Sequence, residues 1–367
     1  MIAKGWIGIV ILAAALAGCA APSSSPPAAS ASRTSAAPVG DAPGGAPPTG
    51  AARPATSATP TPPPRVALKY GLNTTTIDVA PLWVAKEQGF FARRGIDVEL
   101  ATMPADLLVA SLISGELSMS TLGGTPLLNA TLGGADLAFY GSIENLLRFW
   151  LYARPEIASV ADLRGKQVAI TSRGGVVKRA TELTLERNGL NAGDDVTLVA
   201  TGNLNNSFTA LLGGSVAAAM LAPPVTFRAQ DEGMRLLVDT KDYQYPMLLG
   251  GIAASRAWVV RNEDVARRAL QAIAEGVAFA SQQKERTKEI IAQYTQNDDP
   301  QLLERSYVTQ QAEWERTLAV PPEAVRLELE SIGQENPAAR GARPDQFYDN
   351  HLAEEVERDG FLQGLWQ

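Results

Sequence analysis

The sequence predicts an α/β fold built as two lobes, and three observations predict it. From Val66 onward, short apolar runs alternate with helical patterns. The alternation restarts near Phe149, so there are two successive series. The chain has 367 residues, more than one hydrophobic core usually organises.

In the first series, residues 66–70 read as a strand ending in a polar turn over 71–76. Residues 81–89 read as a helix that Asp78 would cap and Gly89 would close. Residues 96–100 alternate as a second strand, and 105–114 form a helix stopped at Gly115. A short strand at 117–121, a Gly-Gly-Thr-Pro turn opening a helix at 123–126 and a strand at 137–140 complete it. In the second series, 149–153, 166–171, 196–200, 217–221 and 236–238 read as strands, with helices over 176–188 and 207–212. Strand and helix units joined by short turns predict parallel sheets with right-handed crossovers. The remainder reads as long helices over 262–294, 301–318, 322–332 and 346–359.

Composition narrows the chemistry. The body beyond residue 19 has no cysteine, which excludes disulfides, cysteine-ligated metals and a cysteine nucleophile there. A single histidine, His351, read as a surface helix residue, leaves no histidine-rich metal site and no histidine triad with a spare partner. The net charge of −7, without a Lys/Arg cluster, argues against a nucleic-acid partner. Neither a cofactor nor a metal nor a catalytic residue is expected.

The first 65 residues read as address and tether. Residues 1–19 have a basic start at Lys4, an apolar stretch over 7–16 and small residues before Cys19, as in a secretory signal. That stretch is shorter than the roughly 20 residues a membrane span needs. Leu16-Ala17-Gly18-Cys19 resembles a bacterial lipobox, which implies lipidation of Cys19 and anchorage to a membrane; an uncleaved anchor or plain signal peptide is the alternative. Residues 20–65, rich in Ala, Pro, Ser and Thr, bury too little to order themselves and read as a disordered, semi-rigid spacer.

The run PLWVAKEQGFF at 81–91, followed by GIDV at 95–98, then GGTP at 123–126 and VADLRGKQVA at 160–169, resembles one family. It is that of the sulfonate, taurine, nitrate and thiamine-pyrimidine binding proteins of ABC importers (SsuA/THI5-like, NMT1), and the likeness extends over about residues 66–290. The resemblance implies the type II periplasmic-binding-protein fold: two α/β lobes joined by a two-strand hinge, a ligand in the cleft, and here extra C-terminal helices. On it, 66–146 is the first part of lobe I, 147–250 is lobe II, and 251–367 returns to lobe I. It further implies an exported monomer that captures a small molecule and docks on an ABC permease subunit.

Ligands of open α/β sheets lie beyond the carboxyl ends of the strands. Four polar turns fall at such places. Asn73, Thr74 and Thr75 follow the first strand, although they are equally ordinary turn residues. Gly124 and Thr125 open a helix whose free N–H groups would hold an anionic or carbonyl group, unless the glycines only permit tight packing. Ser142 lies near the first hinge. Ser172, Arg173 and Gly174 begin a second-lobe helix, with Arg173 the natural partner of a sulfonate or carboxylate, or else a solvated charge. Pro223 resembles the family's second-lobe loop, or merely ends a strand. Trp83 and Phe90 read as packing rather than a stacking platform, and Glu144 and Arg148 as a helical pair. The expected ligand is a small organic anion, sulfonate-like, or a heteroaromatic. A sensory lipoprotein without a transporter, and an enzyme on the same fold that does not use cysteine, are the alternatives.

Overall fold

The computed structural model describes residues 65–173 and 175–367. The signal segment, Cys19 and the spacer up to residue 64 lie outside the described residues, as does Gly174.

The first series runs β1 (Val66–Leu72), α1 (Ala80–Glu87), α2 (Phe90–Arg93), β2 (Ile96–Thr102), α3 (Ala105–Ser114), β3 (Met119–Leu122), α4 (Gly124–Leu132) and β4 (Leu137–Ser142). The second runs β5 (Trp150–Ala153), β6 (Gln167–Ile170), α5 (Val176–Arg187), β7 (Thr197–Ala200), α6 (Leu204–Leu212), β8 (Ala218–Leu221), α7 (Val225–Asp231) and β9 (Arg235–Asp239). Then follow β10 (Gly251–Ser255), α8 (Arg256–Arg261), α9 (Glu263–Gln282), α10 (Lys284–Thr295), α11 (Pro300–Gln310), α12 (Pro322–Ile332), α13 (His351–Arg358) and α14 (Phe361–Leu365).

These strands build two sheets, β2-β1-β3-β10-β4 and β7-β6-β8-β5-β9. β1 pairs in parallel with β2 and β3, and β6 in parallel with β7 and β8, as βαβ crossovers require. The sheets are nonetheless mixed, which corrects the all-parallel expectation. β10 runs antiparallel to β3 and β4, and β5 runs antiparallel to β8 and β9. Each of these two strands enters its sheet directly from the segment that crosses from the other sheet, so it arrives reversed.

Strand β10 was not foreseen: GIAAS offers no large apolar alternation, yet Gly251 to Ala254 are fully enclosed between two strands. Small residues suit a central strand between close neighbours. Helix α7 was likewise unexpected. The long pattern over 262–294 breaks at Gln283 into α9 and α10; the pattern over 301–318 stops as a helix at Gln310; and that over 346–359 is helical from His351. Asp78 does not cap α1 but sits in a 3₁₀ turn ahead of it.

Each sheet is covered on both faces. One face of the first sheet packs on α1, α9 and α10 around Trp83, Phe91 and Tyr307, and the other on α3, α4 and α12 around Leu112, Leu127 and Leu329. The second sheet packs on α5 through Val177 and Leu185 and on α6 and α7 through Phe208 and Ala229. Alternate residues of β5 show the period: Leu151 faces the α5 side and Tyr152 the α6 side. Trp83 is 1% exposed and Phe90 is buried in the same core, so both are packing residues, as expected.

Helices α1 and α9 pack closely at Gly276. A Cβ at Gly276 would lie 2.2 Å from the Pro81 carbonyl oxygen and 2.9 Å from the Ala85 Cβ. Gly276→Ala should therefore destabilise the protein by about 1–3 kcal/mol, read by urea denaturation, because the nearest obstacle is rigid backbone. An unchanged midpoint would show that the helices part freely.

Candidate functional site

Two segments connect the sheets. One leaves β4 through Ile143, Glu144, Asn145 and Leu147; the other returns from β9 through Tyr245, Met247, Leu249 and Gly250. They run antiparallel as a hydrogen-bonded ribbon: Leu147 N–H donates to Tyr245 O (3.0 Å), Met247 N–H to Asn145 O (2.9 Å) and Ile143 N–H to Gly250 O (3.0 Å). Leu146 and Pro246 face each other across it. This ribbon is the two-strand connection between the sheets, and a cleft lies beside it.

The cleft has a volume of about 580 Å³, within the roughly 300–1,000 Å³ typical of small-molecule sites. Its walls are the carboxyl ends of strands from both sheets. The first sheet contributes Asn73 and Thr74 after β1, and Gly123, Gly124 and Thr125 after β3. The second contributes Thr171 after β6, Gly202 and Asn203 after β7, and Ala222 and Pro223 after β8. The ribbon supplies Glu144, Arg148 and Met247, Phe149 precedes β5, and Trp150 is its first residue. Strand ends converge here because parallel strands release their loops on one side of each sheet.

The site residues read from the sequence divide accordingly. Asn73, Thr74, Gly124, Thr125 and Pro223 line the cleft together. Thr75, Ser172 and Arg173 are exposed and do not line it, although their neighbours Thr76 and Gly175 do. Ser142 is fully buried at the end of β4; its N–H donates to Leu318 O (2.8 Å) and its Oγ to Glu144 O (3.2 Å), so it turns inward to the hinge rather than to the cleft. Glu144 and Arg148 are no helical pair, since the ribbon that holds them is extended. Arg148 instead forms an ion pair with Glu313.

Sequence reasoning missed the cleft's acidity. Asp78, Glu144, Glu313 and Glu328 line it, and Arg148 is the lone Lys or Arg among the described lining residues. Burial pushes the Glu144 carboxyl well above the usual carboxylate range, and the charges of Asp78 and Glu313 add to the rise. Burial likewise raises Asp78, against a hydrogen bond from Thr76. It raises Glu313 too, although Arg148 opposes the shift. Burial carries Glu328 up to about 7, despite hydrogen bonds from the Thr125 hydroxyl and backbone N–H. Such carboxyls donate a hydrogen bond when protonated and accept one when ionised, and they repel anions in the second state.

A signal for Glu328 existed in the sequence. Ala324, Val325, Leu329 and Ile332 form the apolar face of α12, and Glu328 lies on that face at helical spacing. A carboxylate there must be solvated by a partner or give up its charge. Among the described residues, no group of three or more His, Cys, Asp or Glu is placed to hold a metal ion.

Comparison with known proteins agrees with this geometry. The profile of the family described as NMT1/THI5 like matches residues 76–287, more than half of the chain. The riboflavin-binding protein RibY of Chloroflexus aurantiacus is 27% identical over 236 residues, which are 62% of this chain and 65% of RibY. The putative binding protein YtlA of Bacillus subtilis is 23% identical over 54% of this chain and 62% of its own length. The chain thus spans just under two thirds of these relatives. Among solved structures, the periplasmic aliphatic sulphonate binding protein SsuA of Escherichia coli superposes with a TM-score of 0.63 at 22% identity, covering 74% of this chain and 87% of SsuA. The periplasmic nitrate-binding protein NrtA of Synechocystis superposes at 0.65 with 16% identity, covering 82% and 90%. At these identities the likeness is one of fold: the two-lobed α/β architecture of type II periplasmic binding proteins.

Proposed function

The chain belongs to the NMT1/THI5-like family, and from that membership we propose that it is the solute receptor of an ABC importer, closing its two lobes over an uncharged heteroaromatic molecule. In this reading residues 66–146 and 251–367 make one lobe and 147–250 the other. Export and lipidation at Cys19, read from the lipobox-like segment, hold the receptor at a membrane, and a permease takes the solute from it.

The single observation that carries the ligand class is the cleft's lining. Four carboxyls face one arginine, and that arginine is already paired with Glu313. A sulfonate or nitrate entering the cleft finds no free cation among the described lining residues, and it meets like charge wherever a lining carboxyl is ionised. A flat ring with N–H and C=O groups meets Phe149, the half-buried Trp150 and carboxyls able to donate or accept. The riboflavin ligand in the name of the Chloroflexus relative supports the same class. Closure is supported by ion pairs that join elements of the two lobes outside the cleft lining. Lys178 of α5 meets Glu335 beyond α12 at 3.3 Å, and Arg305 of α11 meets Asp231 of α7 at 3.0 Å.

A thermal-shift panel tests this with riboflavin, an aminopyrimidine, methanesulfonate and nitrate. The heteroaromatics should stabilise the protein by about 2.7 kcal/mol at a hundred times their Kd. The expected anion shift is nil. A shift with methanesulfonate and none with either ring compound would restore the small organic anion as the ligand.

A further inference from the structure

The start of helix α4, where the sequence suggests an anion of the ligand, is filled by the chain itself. Glu328 reaches across from α12 and accepts a hydrogen bond from Thr125 Oγ1 at 2.6 Å. The Thr125 backbone N–H also favours the ionised form of that carboxyl. The Gly124 N–H is taken by Leu248 O at 2.9 Å, and Pro126 has none. A Cβ at Gly124 would lie 1.9 Å from Glu328 Oε2, so the carboxyl rests on the bare backbone that glycine leaves. Glu328 is 5% exposed and its Oε2 has no hydrogen-bond partner.

Capping alone does not explain this arrangement. A serine at position 123 would satisfy the helix without burying a carboxyl, whereas Gly123 offers no side chain and Glu328 is held with one oxygen unpaired. We infer that Glu328 is a specificity-determining residue: its carboxyl occupies the place of a solute's anionic group at the start of α4 and confines the cleft to solutes without an anion at that wall. The inference rests on the receptor reading and sharpens its ligand class. The helix dipole and the Thr125 donors still favour negative charge there, but the chain supplies that charge. A second anion would have to displace Glu328 or share its site.

The test is calorimetric titration of methanesulfonate into the purified chain and into Glu328→Ala at pH 8, with circular dichroism to verify folding. Wild type should show no measurable binding, and the alanine variant should bind at least tenfold more tightly than the wild-type detection limit. Equal binding by both proteins, or a folded variant with no gain, overturns the inference. Should the alanine variant misfold, Glu328→Gln preserves size and the Thr125 contact but removes the charge. It should still gain affinity several-fold, and no gain would be equally decisive. The heteroaromatic ligand class fails on a different result, the absence of wild-type binding to any ring compound. The anion titration of the variants is read independently of it.

Discussion

Trp83→Ala should cost about 3–5 kcal/mol of unfolding free energy. Trp83 is 1% exposed, and its ring stacks on Tyr294 with centroids 4.9 Å apart and planes 10° from parallel. Truncation removes the buried apolar surface and leaves a void between α1 and α10 that rigid backbone cannot fill. It also strands Tyr294, whose hydroxyl donates to Glu87 at 2.7 Å and fixes the ring against the gap. Trp83→Phe retains part of the stack and should lose less than half as much. Leu107→Ala, at a side chain 50% exposed on α3, should change stability by under about 0.5 kcal/mol. Urea denaturation followed by circular dichroism distinguishes the three. A loss below about 1 kcal/mol for Trp83→Ala would contradict the central role of this contact.

Glu328 should make the protein less stable as pH rises from about 4.5 to about 7. Its carboxyl titrates near 4.5 when unfolded and at about 7 when folded, because burial disfavours the charged form. Below the lower value both states hold the proton and the residue has no effect. Between the two, the unfolded chain has released its proton and the folded one has not, so each step upward favours unfolding. Above about 7 the loss is complete, on the order of 3 kcal/mol for this shift. Asp78, Glu144 and Glu313 are raised in the same direction, so the wild-type curve sums several carboxyls. Glu328→Gln isolates one of them. The stability difference between variant and wild type should grow in the variant's favour between pH 4.5 and 8. A difference independent of pH would mean that Glu328 stays ionised throughout.

Much of the fold was legible because period and punctuation are local. The helix Ala105–Ser114 ends at its glycine as the sequence predicts, and β1, β2 and β4 begin at the predicted residues. Strand β10 was not legible, since its small residues make sense only between β3 and β4. The cleft was legible in part. Asn73, Thr74, Gly124, Thr125 and Pro223 were identifiable as residues that follow strands, whereas Arg173 satisfies the same local rule and is exposed.

The sequence by itself determined the alternation of elements, their division into two series, and the absence of thiol chemistry from the body. Only the tertiary structure decided the charge of the cleft. Glu328 and Thr125 are 203 positions apart, and no periodicity links them. They meet because the apolar face of α12 packs on α4, and that face carries a carboxyl to a helix terminus where Gly124 leaves space for it. Local pattern reports which residues form an element. Which side chain fills a gap between two elements depends on long-range packing, and that choice sets what the cleft can bind.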